Sequence, residues 1–246
     1  MSISELASTS VRIRAYYRRH DDFLRYTAAD KDRMADLGRL YTKAKRYFGR
    51  DVLDLACGGG ALGFVVESKG HSYVGIDINP DAVGAARNHA AEVGSRNRFV
   101  LEDIRSVKLE GTFDTLTLLG NALCHFNTSE FVSIMANVER NIHMGSYFIV
   151  DYRDVVSLLF AGKWSRKRYV QKRGGTTVTS LTRRIDTERG DAVIDSLAKG
   201  RRPLRFTYAI WSPFIIEPLM RLNKWKLVRR EFRRLNSSWL DIYRRL

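Results

Sequence analysis

Apolar positions change their rhythm several times along the chain. From Asp30 to Phe48 they fall at Met34, Leu37, Tyr41, Ala44 and Phe48, three or four apart with charges between, which predicts a helix. Asp51–Ala56 (DVLDLA) is then a short apolar run leading straight into CGGGALG. It reads as a strand, a glycine turn and a helix to about Lys69. Ser72–Asp77, Arg98–Asp103, Phe113–Gly120 and Ser146–Tyr152 are further strands. Between them Pro80–Val93 and Thr128–Asn141 carry helical patterning, with Pro80 suited to a first turn and Thr128 to a cap. The strands lack clean alternation, as expected when both faces of a sheet are covered.

Strands alternating with helices at this spacing predict βαβ units. After Tyr152 the rhythm breaks. Thr176–Asp186 and Asp191–Lys199, joined around Glu188–Gly190, read as an antiparallel hairpin, followed by Leu204–Ala209. A helix from about Pro213 to Leu222 and two strands, Lys226–Phe232 and Ser238–Tyr243, end the chain. The expected fold class is therefore α/β: a doubly wound, mostly parallel seven-stranded sheet with a small antiparallel β insertion after its fifth strand. Four parts follow: an N-terminal helical lid (1–49), an α/β core (50–152), a β-rich insertion (153–208) and a return to the core (209–246). Insertions after strand ends in doubly wound folds lie over the ligand crevice, so 153–208 is expected to cap it.

The 246 residues suit one α/β domain with an insertion, and 44% apolar residues allow a sizeable core. The formal net charge is +15, concentrated in Lys163–Lys172 (KWSRKRYVQK), Arg201–Arg205 and the tail from Lys224. Such a field attracts anions or nucleic acid, or it is simply a solvated surface. Cys57 and Cys124 form neither a disulfide framework nor a metal-ligand spacing, so no metal is expected and a reducing cytoplasm is the natural compartment. The N-terminus reads as no signal peptide, and no run of about 18 apolar residues suggests a membrane span.

The candidate chemistry starts at Gly58-Gly59-Gly60-x-x-Gly63. Glycine belongs where a backbone turns sharply against a ligand, but this pattern alone fits a dehydrogenase as well. Asp54, four residues earlier, can receive hydrogen bonds from the loop or from a ligand ammonium, and a pyrophosphate turn has no need of it. Asp77 closes the second strand, where an acid accepts from both ribose hydroxyls. Asp103 closes the third, within reach of an adenine amino group. Each acid alone could be a cap or strand-end turn. Three at successive strand ends, with a glycine loop at the first, point to a bound nucleoside.

With these motifs the sequence resembles the class I S-adenosylmethionine-dependent methyltransferases. VLDLACGGGALG is similar to their first motif, GIDINPDAV to their second and LEDI to their third. The resemblance covers roughly Arg50 to Tyr152. It implies S-adenosylmethionine as cofactor, with Gly58 and Gly60 against the methionyl part and Asp54 near its amino group. Asp77 would take the ribose and Asp103 and Ile104 the adenine, with Ala56, Ile78 and Leu119 also counted among the cofactor-binding residues. Arg33 has the spacing of an arginine on the methionyl carboxylate, although a solvated helix face suits it too.

LLGNALCHF (Leu118–Phe126) and VDYRDVVSLL (Val150–Leu159) resemble the glycine and sarcosine N-methyltransferase group. That resemblance implies Asn121 at the accepting amine and Arg153 on a substrate carboxylate. The chain departs from the group at Asp154 and Val155, where asparagine and tyrosine are usual, and in its basic KWSRKRY. Independently of family, an arginine fork clamps a carboxylate with two hydrogen bonds, and an amide oxygen can accept from an amine. His125 is a candidate for catalysis or for orienting Asn121, and Tyr16, Tyr17 and Tyr169 are candidates to line the pocket.

The favoured expectation is methyl transfer to a small amine bearing a carboxylate, with a small-molecule partner. An RNA or protein methyltransferase using the basic surface is the alternative, although the fourth-strand motif is unlike NPPY or DPPY. A non-catalytic nucleotide or nucleic-acid binder is the third reading.

Overall fold

The computed structural model describes residues 30–161, 169–173, 176–198, 202–233 and 237–246, together with Val11, Thr27 and Ala28. Helix α1 (Lys31–Ala44) starts where Asp30 accepts the Arg33 backbone N–H, satisfying one of the unpaired amides of its first turn. It buries Leu37, Leu40 and Ala44. The core then alternates β1 (Asp51–Leu55), α2 (Ala61–Glu67), β2 (Ser72–Asp77), α3 (Pro80–Val93), β3 (Arg98–Leu101), β4 (Phe113–Leu118), α4 (Thr128–Val138) and β5 (Ile142–Arg153).

Helix α3 carries both of its expected boundary signals. Asn79 caps it, Pro80 occupies the first turn, and Gly94 ends it in the left-handed conformation. Three other expected boundaries shift. The cap of α4 is Asn127 rather than Thr128, because Asn127 and Glu130 exchange reciprocal side-chain to backbone hydrogen bonds in a capping box. That helix ends at Val138, and a single 3-10 turn (Glu139–Asn141) leads into β5. Helix α2 stops at Glu67, two residues short of the expected end.

The insertion opens with an element that periodicity did not reveal, the short helix α5 (Val155–Phe160). Asp154 caps it by accepting the Ser157 N–H, and its other oxygen accepts Trp239 Nε1 at 3.0 Å. The acid that departs from the family pattern thus has a local role. Strand β6 (Tyr169–Arg173), also unforeseen, pairs with β7 (Thr176–Asp186), which pairs with β8 (Asp191–Ala198) and then β9 (Leu204–Ala209) in a four-stranded antiparallel sheet. The basic stretch Lys163–Lys172 lies mostly outside the described residues, as do Tyr16 and Tyr17.

Helix α6 (Pro213–Leu222), β10 (Trp225–Arg233) and β11 (Ser238–Arg245) complete the seven-stranded sheet, ordered β10-β11-β5-β4-β1-β2-β3. Only the β11 pairings are antiparallel. Strand order reverses between β1 and β4, which opens a crevice at their carboxyl ends. Both faces of the sheet are buried. On β5, Phe148 and Val150 pack into one apolar cluster and Ile149 into the other, which accounts for the missing alternation in the sequence.

Candidate cofactor and acceptor site

A crevice opens at the carboxyl ends of β1, β2, β3 and β4, the edge at which ligands bind in open α/β sheets. Of the residues expected at a cofactor, Ala56, Gly58, Asp77, Ile78, Asp103, Ile104 and Leu119 line it, and so does His125. Gly58 takes φ +56°, so the turn after β1 uses a conformation that side chains disfavour. Asp77 faces the loop from β2. Its Oδ2 accepts the Gly58 N–H at 2.7 Å and its Oδ1 the Asn79 N–H at 2.8 Å. Burial raises its carboxyl above the usual range, and those two amides pull the other way.

Gly60 is placed differently. It caps α2 at φ +75°, and a Cβ there would meet the Phe99 ring at 2.3 Å. Thr27 forms an isolated bridge with Gly60 and lies where a Cβ on Gly59 would go. Thr27 therefore packs directly against the glycine turn.

Asp54 stands behind the turn rather than on the crevice wall. It is 4% exposed, and its oxygens accept the Tyr73 hydroxyl at 2.7 Å and the Thr117 hydroxyl at 2.6 Å. Burial pushes its carboxyl up to about 6, opposed by the two hydroxyls and by the positive charge of Arg33. Arg33 on α1 is thus close enough to Asp54 for its charge to act on that carboxyl, and it does not line the crevice.

At the far wall, Asp103 is gripped by a residue that motif reading missed. Arg105 donates from Nε to both Asp103 oxygens (2.9 and 3.1 Å), from Nη2 to Oδ2 at 2.6 Å, and from its backbone N–H to Oδ1 at 3.0 Å. Its Nη1 donates to Glu130 Oε1 at 2.8 Å. The signal was present in LEDIR, since an acid two residues before an amide commonly closes a turn of this kind.

The β4 end carries the acceptor candidates. Asn121 adopts a left-handed backbone (φ +62°) directly after Gly120, which lines the crevice. Its N–H donates to Asp151 Oδ1 at 2.8 Å, and its Oδ1 accepts the Arg153 N–H at 2.9 Å. The fourth- and fifth-strand stretches therefore meet. Asn121 Nδ2 donates to the Tyr208 hydroxyl at 2.7 Å, a contact from β9 with no sequence signal. His125 sits in the 3-10 turn Ala122–His125, which Trp211 Nε1 pins by donating to Leu123 O at 2.9 Å and Phe126 O at 3.0 Å. Burial lowers its imidazole to about 4, so it is neutral near pH 7. Among the described residues no group of His, Cys, Asp and Glu could hold a metal, and both cysteines are buried and free. No described helix is long and apolar enough to cross a membrane.

Comparison with known proteins gives this geometry a class. Residues 52–145 match the family described as a methyltransferase domain. Those residues form a methyltransferase domain, and S-adenosylmethionine is the cofactor of that domain. A ubiquinone biosynthesis O-methyltransferase of Vibrio parahaemolyticus is 33% identical over 85 residues, 34% of this chain and 36% of that enzyme. The chain spans a third to about half the length of the curated relatives it matches. Among solved structures, the PH0226 protein of Pyrococcus horikoshii aligns at TM-score 0.72 and 27% identity, over 94% of this chain and 99% of that one. The amino pentose methyltransferase CalS10 of Micromonospora echinaspora shares the fold at TM-score 0.61 and 17% identity, over 87% and 91%.

The crevice suits this cofactor. The Asp77 carboxylate, a hydrogen-bond acceptor suited to hydroxyls, lines it together with apolar Ile78, Ile104 and Leu119 and the turn glycine Gly58, which has no Cβ to obstruct a ligand.

Proposed function

We propose that the protein transfers a methyl group from S-adenosylmethionine to a small acceptor, the nitrogen of an amine bearing a carboxylate. The observation that carries this reading is that the Arg153 backbone N–H donates to Asn121 Oδ1 at 2.9 Å, which sets the two residues side by side next to the crevice wall at Gly120. An arginine fork and an amide from adjacent strand ends can hold a carboxylate and an amine at once. Holding both removes rotational freedom, the main lever in an in-line displacement.

In this reading Asp77 takes the ribose hydroxyls, with Ile78 beside them. Asp103 and Ile104 meet the adenine, Ala56 and Leu119 form walls, and Gly58 and Gly60 shape the turn at the methionyl part. Asp54 and Arg33 set the charge near the methionyl ammonium and carboxylate. Residues 1–49 act as a lid and 153–208 as a cap that keeps water out. The bound cofactor supplies an electrophilic methyl and a neutral thioether leaving group. His125, neutral and pushed to about 4 by burial, is too weak a base to ionise a hydroxyl acceptor. An amine that sheds its proton on entering a dry site needs no such base.

The test is turnover of paired amines with and without the carboxylate, in wild type and Arg153→Lys. The variant keeps the charge and loses the fork. It should lose preference for the carboxylate substrate with cofactor affinity nearly intact. If both enzymes treat the pair alike, the carboxylate-clamp reading fails.

A further inference from the structure

Arg105 has a part in the site that no motif assigns to it. Its side chain is 3% exposed although it lies at the crevice wall, and its guanidinium donates to two carboxylates from different elements. On one side is Asp103, just beyond β3, held through Nε, Nη2 and the Arg105 backbone N–H. On the other is Glu130 in the first turn of α4, taking Nη1 at 2.8 Å. Glu130 does double duty, because its Oε2 also accepts the Asn127 N–H in the capping box. Asn127 directly follows His125 and Phe126, which line the crevice.

One guanidinium thus links the wall after β3 to the wall after β4. Its planar fork does more than neutralise. Nε and Nη2 together set the plane of the Asp103 carboxylate, and the backbone N–H fixes its rotation about the Cα–Cβ bond. A purine amino group has two hydrogens in one plane, so an acceptor recognises it only when its own orientation is fixed. A lone aspartate at a strand end would rotate and accept from water equally well.

We propose that Arg105 is a positioning residue for nucleobase selection. By holding the Asp103 carboxylate and tying it to Glu130, it makes the crevice discriminate a 6-amino purine from a purine without that group. The proposal rests on the reading of Asp103 as the adenine contact.

The experiment is calorimetric titration with S-adenosylhomocysteine and with its analogue carrying hydrogen in place of the 6-amino group. Both ligands are measured on wild type, Asp103→Asn, Arg105→Lys and Arg105→Met, with thermal melts of each variant. Wild type should prefer the amino ligand by about tenfold or more, the range for a hydrogen bond to a charged group. Arg105→Lys keeps a buried positive charge, so it guards against the methionine variant failing to fold. In the folded Arg105 variants the preference should fall to within about threefold, while affinity for the deaminated ligand stays near wild type. A folded Arg105 variant that keeps the wild-type preference overturns the proposal. So does one that loses both ligands in equal proportion, since that is the mark of a merely structural cation. If wild type itself shows no preference, the Asp103 reading falls, and the Arg105 proposal with it. If Asp103→Asn loses the preference and Arg105→Lys does not, only the Arg105 proposal fails.

Discussion

Asn121 and Tyr208, 87 positions apart in the chain, are joined by a 2.7 Å hydrogen bond from the amide Nδ2 to the phenol oxygen. The direction follows from the other end of the amide. Arg153 N–H is a donor and takes Oδ1, which leaves the NH2 group for Tyr208. The antiparallel sheet of the insertion therefore reaches the end of β4 through a defined contact. It is backed by apolar packing of Tyr208, Ala192 and Ile194 on Cys124 and Val155.

Tyr208→Phe removes that one hydroxyl and keeps the packing. Asn121 would then leave its NH2 short of a partner and turn more freely. The expected result is a KM for the methyl acceptor raised about threefold to tenfold, with S-adenosylhomocysteine affinity unchanged, consistent with roughly 0.5–1.5 kcal/mol for a neutral hydrogen bond. Steady-state kinetics beside calorimetry checks this. An equal fall in affinity for both ligands would mean that Tyr208 serves general stability instead.

Asp77→Ala should weaken S-adenosylmethionine binding by about tenfold to a hundredfold, since two hydroxyl donors lose a charged acceptor. The same carboxylate also accepts the Gly58 and Asn79 N–H groups, so the glycine turn loosens with it. Asp77→Asn separates these effects, because its single amide oxygen can serve only one side. Titration calorimetry on folded protein reads both variants, and unchanged affinity in Asp77→Ala would remove Asp77 from the site.

His125 makes an acid-stability prediction. Its folded pKa, about 4, lies below the unfolded 6.5, so the unfolded chain binds more protons between those values. Its contribution to stability is complete above pH 6.5 and declines as pH falls toward 4. At pH 4.5 the loss is roughly 2.5 kcal/mol. Asp54 works in the opposite direction. Its folded pKa of about 6 exceeds the unfolded value, so its burial penalty is relieved as pH falls through 6. The two offset each other in the wild-type profile, and the variant must be compared with it. Urea denaturation of His125→Gln and wild type at pH 7 and pH 4.5 should show the variant losing less stability on acidification. Parallel losses would mean that the His125 imidazole is not held neutral by burial.

The alternation of strands and helices was legible because each element of the core buries a periodic set of its own residues. Leu37, Leu40 and Ala44 mark α1, and β1 and β4, rich in Val, Leu and Phe and buried along nearly their whole length, mark central strands. The glycine turn and the acids Asp77 and Asp103 were legible for a related reason. A nucleoside crevice at a strand-order reversal draws its contacts from strand ends, and strand ends can be found locally. Local chemistry also contains the true cap of α4, in the spacing of Asn127 and Glu130, although Thr128 was the more obvious candidate.

Tertiary structure alone decided the rest. Asp54 carries the charge expected of a ligand contact, yet Tyr73 and Thr117, 19 and 63 positions away, occupy its oxygens and set it behind the turn. Arg105 looks like any surface arginine until α4 brings Glu130 against it. Tyr208 has no local mark of function, because its partner Asn121 lies 87 positions away in the turn after β4. Periodicity reports which way a side chain faces within its own element. A hydrogen bond across elements depends on where two backbones cross, and only the packing of the whole chain sets that.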